Sequence, residues 1–142
     1  MSKKSISVVV FTLILVAFIS IAFTRQSSGG YFLEHEQELG KLQTPPHNGS
    51  GLSTAYSFFS AAPGLQLTFR KRVLQKGAVL GYHLQKDDEI YYVVSGTGIM
   101  RMNTDSFAVK AGDGILTRPG NSHGLRQTGD EDLVLIINYL TK

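Results

Sequence analysis

The stretch GYHLQKDDEIYYVVSG, from Gly81 to Gly96, decides the fold because it places polar side chains in a β-rich run. Alternate residues of a strand face the same side, so His83 and Gln85 are expected to point together. Glu89 follows the turn-forming residues QKDD and can return to the same face on the next strand. The sequence therefore predicts a hairpin whose one face carries three potential metal ligands.

A second stretch, AGDGILTRPGNSHGL, supplies another potential ligand. Its turn-rich first part ends in a tight Pro-Gly turn, and His123 begins a strand directly afterwards. Two histidines and one carboxylate can hold a divalent metal on one face and leave coordination positions open for a substrate. We therefore expect His83, Glu89 and His123 to be metal ligands, with Gln85 as a further candidate.

The spacing of these residues resembles the two sequence motifs of the cupin family. The first motif is matched by Gly77, His83, Gln85, Glu89 and Gly96, and the second by Gly112, Gly120 and His123. The resemblance extends over residues 65–139. Three positions depart from the family pattern: Gln85 replaces the usual histidine, Pro119 stands one place late, and Gln127 stands where asparagine is common.

The resemblance implies an all-β fold, a double-stranded β-helix or jelly-roll barrel, with one divalent metal ion inside it. Iron, manganese, nickel and zinc are the candidate metals, held by His83, Glu89 and His123. Gln85 falls on the fourth ligand position, where its amide can bind the metal, hold a water molecule or contact a substrate. Three further residues are expected to line the substrate pocket: Tyr82, Tyr91 and Arg118.

The pattern of the remaining chain agrees with an all-β domain over residues 56–142. Short β-rich runs such as SFAVK, GILTR and DLVLIINYL alternate with turn sequences such as MNTD, KAGDG and TGDED. No segment with helical periodicity interrupts them, and this disfavours crossover-rich α/β folds. An antiparallel barrel or jelly roll is the predicted architecture.

The chain begins with MSKK and an uncharged apolar run from Ile6 to Phe23. We expect residues 1–25 to be an export segment, either a cleaved signal peptide or a retained membrane anchor, and the domain to be periplasmic or extracellular. Residues 26–55 are expected to form an N-terminal arm or linker. Its His47 is expected to be a solvated loop histidine, with a position over the barrel mouth as the alternative.

Charge and composition exclude several classes of function. Fourteen Lys and Arg against eleven Asp and Glu give a net charge of +3, and the chain has no cysteine for disulfides, thiol chemistry or cysteine metal sites. The one basic cluster, Arg70 to Arg72, lies in the alternating run LQLTFRKRVL, so we assign it to charged strand positions at a sheet edge or barrel mouth. No nucleic-acid-binding motif accompanies it, and nucleic acid is not an expected partner.

Three functions stay open from the sequence. The first is a metal-dependent enzyme acting on a small molecule, of dioxygenase, isomerase or lyase type. The second is a binding protein that holds a sugar or organic acid in the barrel without catalysis, and the third is an interaction protein whose barrel forms dimers. The resemblance also implies a homodimer, and an uncleaved N-terminal segment would add contact with the membrane.

Overall fold

The computed structural model of the protein describes residues 30–141, which fold as an all-β domain with one short helix. The helix α1 comprises Glu36–Leu39. The strands are β1 (Lys41–Gln43), β2 (Ser53–Phe58), β3 (Leu67–Leu74), β4 (Val79–Leu84), β5 (Glu89–Ser95), β6 (Thr97–Met102), β7 (Asp105–Lys110), β8 (Gly114–Thr117), β9 (Ser122–Thr128) and β10 (Leu133–Leu140).

The strands form two antiparallel sheets. One has six strands in the order β1-β2-β3-β10-β5-β8, and the other has four in the order β4-β9-β6-β7. From β3 to β10 most successive strands, such as β4 and β5, lie in different sheets, and this alternation is typical of a jelly-roll barrel. The predicted double-stranded β-helix is confirmed.

The core lies between the sheets because successive strand residues face opposite sides. In β5 buried and exposed residues alternate without a break from Glu89 to Val94. The buried apolar side chains come from both sheets and include Leu74, Val93, Met100, Leu125, Leu133 and Leu135. This packing leaves the polar residues of the same inner face at one end of the barrel.

The residues that precede position 56 are joined to the barrel by strand pairing and side-chain contacts. The six-stranded sheet takes in β1 and all of β2, which begins at Ser53, ahead of residue 56. The Glu34 carboxylate accepts a hydrogen bond from the Phe59 backbone N–H at 2.6 Å, and Glu36 pairs with Lys71 at 2.8 Å. Part of the predicted N-terminal arm therefore belongs to the sheet.

The predicted export segment, residues 1–25, lies outside the described residues. Among residues 30–141, no helix has both the length and the apolar character needed to cross a membrane.

Candidate metal centre and its cavity

Three side chains converge at one end of the barrel. The predicted hairpin of residues 81–96 was wrong, because β4 and β5 lie in different sheets and do not pair with each other. His83 on β4 pairs directly with His123 on β9, and Glu89 begins β5 in the opposite sheet. One ligand atom from each of the three side chains lies within 4.8 Å of the other two. The structure thus brings together the three residues that the sequence placed in a metal site.

The orientation of His83 is set by a backbone hydrogen bond. Its Nδ1 lies 2.9 Å from the Gly81 carbonyl oxygen. A carbonyl oxygen can only accept, so Nδ1 carries the proton and Nε2 presents a lone pair. This partner fixes the tautomer that a metal-binding imidazole needs.

His123 has a comparable partner in Thr117. The His123 ring is 1% exposed, and its Nδ1 lies 2.6 Å from the Thr117 hydroxyl oxygen. When Nδ1–H donates to this hydroxyl, Nε2 is free to bind a cation. The same Nε2 lies 3.1 Å from a carboxylate oxygen of Glu89, which is 6% exposed. Both side chains are therefore almost completely buried from solvent.

The amide nitrogen of Gln85 lies among these three ligand atoms. It is 3.1 Å from His83 Nε2, 3.4 Å from His123 Nε2 and in close hydrogen-bond contact with the Glu89 carboxylate. An amide group has two hydrogens and faces three acceptors here, so it cannot satisfy them all at once. A divalent cation could interact with all three, and two imidazoles with one carboxylate are a suitable donor set for it.

A cavity of about 540 Å³ opens beside these residues. Its polar lining includes His47, Arg70, Arg72, Gln85, Tyr91 and Tyr139, in addition to His83 and Glu89. A volume of this size is sufficient for a small-molecule ligand.

His47 is an exposed loop residue, as expected, but it also lines this cavity, which agrees with the alternative position over the barrel mouth. Its ring stacks on that of His83 with 3.5 Å between the centroids and 7° between the planes. Partial burial, followed by the electrostatic interaction with the neighbouring His83 ring, lowers the pKa of His47. Gly81 leaves room for the His47 backbone, whose carbonyl oxygen would lie 1.6 Å from a Cβ atom at that position.

Of the three residues expected to line the pocket, the structure brings only Tyr91 to the cavity. Tyr91 is 4% exposed and its ring centroid lies 5.0 Å from that of His123. Burial, followed by the negative charge of Glu89, raises the pKa of Tyr91 well above its usual value. The phenol therefore keeps its proton at neutral pH and is a hydrogen-bond donor beside the candidate metal centre.

Tyr82 and Arg118 do not belong to the cavity lining. Tyr82 is 44% exposed and lies under the Arg101 guanidinium at 4.2 Å, because strand alternation turns it away from the face of its neighbour His83. Arg118 is exposed and pairs with Asp88 at 2.9 Å on the surface.

Arg70 and Arg72 are cavity residues that the sequence interpretation missed. We expected the basic cluster at a sheet edge or barrel mouth, but β3 lies between β2 and β10 in the interior of the sheet. Arg72 is 1% exposed. Strand alternation was the available signal, since it places Arg70 and Arg72 on one face and Lys71 on the other.

The comparisons with known proteins agree with this architecture. Residues 71–139 match the family model described as the cupin domain. The chain is 36% identical over 66 residues to an oxalate-binding protein of Thermotoga maritima, a match that covers 46% of this chain and 54% of that protein. The chain therefore spans about half the length of that relative.

Solved structures share the fold over most of the described residues. A structure described as a predicted oxalate decarboxylase from Thermotoga maritima superimposes with a TM-score of 0.72 and 25% identity, covering 78% of this chain and 100% of that chain. A cupin-like protein of the same organism gives a TM-score of 0.64 at 20% identity, covering 78% and 80%. Since the family match spans both motifs and the barrel is shared with these structures, residues 71–139 form a cupin domain.

Proposed function

We propose that the protein binds a divalent metal ion through His83, Glu89 and His123 and holds a small carboxylate ligand at that ion. The observation that carries the proposal is the convergence of three ligand atoms within 4.8 Å of one another at the wall of a cavity. Carboxylate oxygens are suitable ligands for the open positions of such an ion, which acts as a Lewis acid when bound. The oxalate-binding relative supports a carboxylate as the ligand class.

The protein's own residues have distinct parts in this proposal. The Gly81 carbonyl and the Thr117 hydroxyl orient the two imidazoles through their Nδ1 atoms. The Tyr91 phenol can donate a hydrogen bond to a ligand oxygen, since its pKa is raised. Stacking of His47 on His83 covers one face of the His83 ring.

The test is a calorimetric titration of oxalate into the purified protein, with and without prior loading of Mn²⁺. We expect oxalate to bind the loaded protein and to bind at least about tenfold more weakly when the metal is removed by chelation. In His123→Ala the difference between loaded and unloaded protein should disappear. Equal oxalate affinity with and without metal would contradict the proposal.

Catalysis on the bound carboxylate is the second candidate function. The buried Tyr91 beside the centre favours it, because a phenol that keeps its proton can donate a hydrogen bond to a substrate oxygen on which negative charge develops. Incubating the Mn²⁺-loaded protein with ¹³C-labelled oxalate, with and without oxygen, would reveal turnover as labelled formate or carbon dioxide. Unchanged oxalate at high enzyme concentration would favour binding without catalysis of this substrate.

We also propose that the protein is exported and forms a homodimer. Export rests on the basic start and apolar run of residues 1–25. For dimerisation, the support is an apolar area on the outer face of β5 and β8, where Ile90, Tyr92, Val94 and Leu116 are each 47–50% exposed. Cell fractionation with intact mass measurement tests export. Light scattering of the wild type and of Tyr92→Lys tests dimerisation.

A further inference from the structure

Two arginines of β3 present unpaired guanidinium atoms at the cavity. The Nε atoms of Arg70 and Arg72 are buried and have no hydrogen-bond partner among the described residues. The side-chain bond found for Arg72 runs from Nη1 to the Ser53 hydroxyl at 2.9 Å. Both arginines contribute to the lining of the cavity that holds the candidate metal centre.

Within the part of the chain that the structure describes, no acid forms an ion pair with Arg72, and none forms one with Arg70. Burial, followed by the nearby charge of Arg70, lowers the pKa of Arg72. A buried guanidinium without an anionic partner is costly, so an anion at this place would be stabilising.

The register of the sheet places the two arginines near the metal centre. Ile137 of β10 pairs with Arg70 on one side and with Tyr91 on the other, so these residues form one row across the inner face. Tyr139 pairs with Glu89 in the next row. Rows that share a face are about 7 Å apart along a strand, and neighbouring strands are about 4.8 Å apart. Arg70 thus lies one row and two strands from Glu89, and Arg72, which pairs with Leu135, lies one row further.

We propose that Arg70 and Arg72 form a subsite for the second anionic group of a dicarboxylate ligand. The inference rests on the proposed function, because the first carboxylate is the one held at the metal. A guanidinium matches a carboxylate in shape and can donate two parallel hydrogen bonds to it. Because Arg70 lies a row and two strands from Glu89, the two binding places are further apart than the adjacent carboxylates of oxalate, so the ligand that reaches both is longer, with about three to five carbons.

The first experiment compares succinate with butyrate, which has the same number of carbons but one carboxylate. In the Mn²⁺-loaded wild type we expect succinate to bind at least about tenfold more tightly than butyrate, as a charge-assisted hydrogen-bond pair would give. In Arg72→Met and in Arg70→Met this ratio should fall towards one. An unchanged ratio in both variants would overturn the inference.

Lys71→Met is the matched control for charge. It removes the same charge from the same strand, but Lys71 faces away from the cavity and pairs with Glu36. The succinate-to-butyrate ratio should stay at the wild-type value in this variant. A fall equal to that in Arg72→Met would mean that net charge, and not the subsite, sets the preference for succinate.

If Arg72→Met does not fold, Arg72→Lys is the second variant. It keeps the positive charge without the planar guanidinium group and should give an intermediate ratio of succinate to butyrate affinity.

A second experiment separates this inference from the metal proposal. Thermal unfolding of the chelated protein is measured in succinate and in chloride of equal ionic strength. Succinate should raise the Tm of wild type and Lys71→Met but not of Arg72→Met, even in the absence of metal. Metal-dependent butyrate binding without a preference for succinate would leave the proposed function intact and refute the subsite. If succinate raises the Tm of a wild-type protein that binds no metal ion, the result would support the subsite and refute the metal proposal.

Discussion

The imidazole rings of His47 and His83 lie parallel, with 3.5 Å between their centroids. One residue belongs to the loop before β2 and the other to the candidate metal centre on β4. The loop residue His47 has a positive φ of 60°, and its carbonyl oxygen approaches Gly81 so closely that no side chain fits there. The backbone contact and the ring stacking together hold this loop against the centre.

The first prediction concerns Gly81. In Gly81→Ala, the new Cβ would lie 1.6 Å from the His47 carbonyl oxygen, so the loop or the strand must move. We expect a loss of at least about 1–3 kcal/mol in the free energy of unfolding, measured by urea denaturation. Gly114→Ala is the control, since nothing lies within 4 Å of its added Cβ. Equal stabilities of the two variants would contradict the close approach.

The second prediction concerns pH and His47. Because the pKa of His47 is lowered in the folded protein, the unfolded chain takes up a proton at a higher pH than the folded protein does. The free energy of unfolding of the chelated protein should therefore fall as the pH drops below about 6.5, the usual histidine pKa. In His47→Gln this part of the decrease should be absent. Equal pH slopes for the two proteins between about pH 6.5 and 5 would refute the assignment.

The third prediction concerns the hydrogen bond between Thr117 and His123. Thr117→Val removes the hydroxyl that lies 2.6 Å from His123 Nδ1 and leaves a buried nitrogen without this partner. Loss of such a supporting group typically weakens metal binding by about 10–100-fold. Competition with a fluorescent chelator measures this affinity. Thr97→Val removes an exposed hydroxyl that donates to the Thr128 carbonyl at 2.8 Å, and it should leave the affinity unchanged.

The fourth prediction concerns Gln85. Gln85→His introduces an imidazole next to the three ligand atoms and should raise Zn²⁺ affinity by about tenfold or more, because a neutral imidazole is a stronger ligand than an amide. Gln85→Leu should still bind metal, since the three other ligands are complete without it. Gln66→His adds an exposed histidine elsewhere and is the control. Complete loss of binding in Gln85→Leu would make the amide an essential ligand.

The sequence predicted the barrel and the three converging ligands because both depend on local rules. Strand alternation sets the face of His83, and a short turn brings Glu89 back to the barrel. His123 was expected to begin a strand after a Pro-Gly turn, and the structure pairs it with His83 across β4 and β9. The faces of His83 and Glu89 follow from local rules, while the approach of His123 was supported by the resemblance to the cupin motifs.

Residues whose position depends on distant contacts were not predicted. His47 reaches the cavity through a contact of its loop with Gly81, to which no local pattern points. The burial of Arg72 follows from the position of β3 between β2 and β10, and the order of strands in a sheet is not encoded in any one strand. Tyr82 was assigned to the pocket against the alternation rule, which already placed it opposite His83.

The most direct test of the metal centre is the metal content of the purified protein, measured by elemental analysis after loading with Mn²⁺ or Zn²⁺ and removal of free ions. We expect about one ion per chain in wild type and in the exposed-residue control His35→Ala. His83→Ala and Glu89→Gln should retain less than about a tenth of this amount. A folded wild-type protein without stoichiometric metal, or equal metal content in all four proteins, would contradict a centre formed by His83, Glu89 and His123.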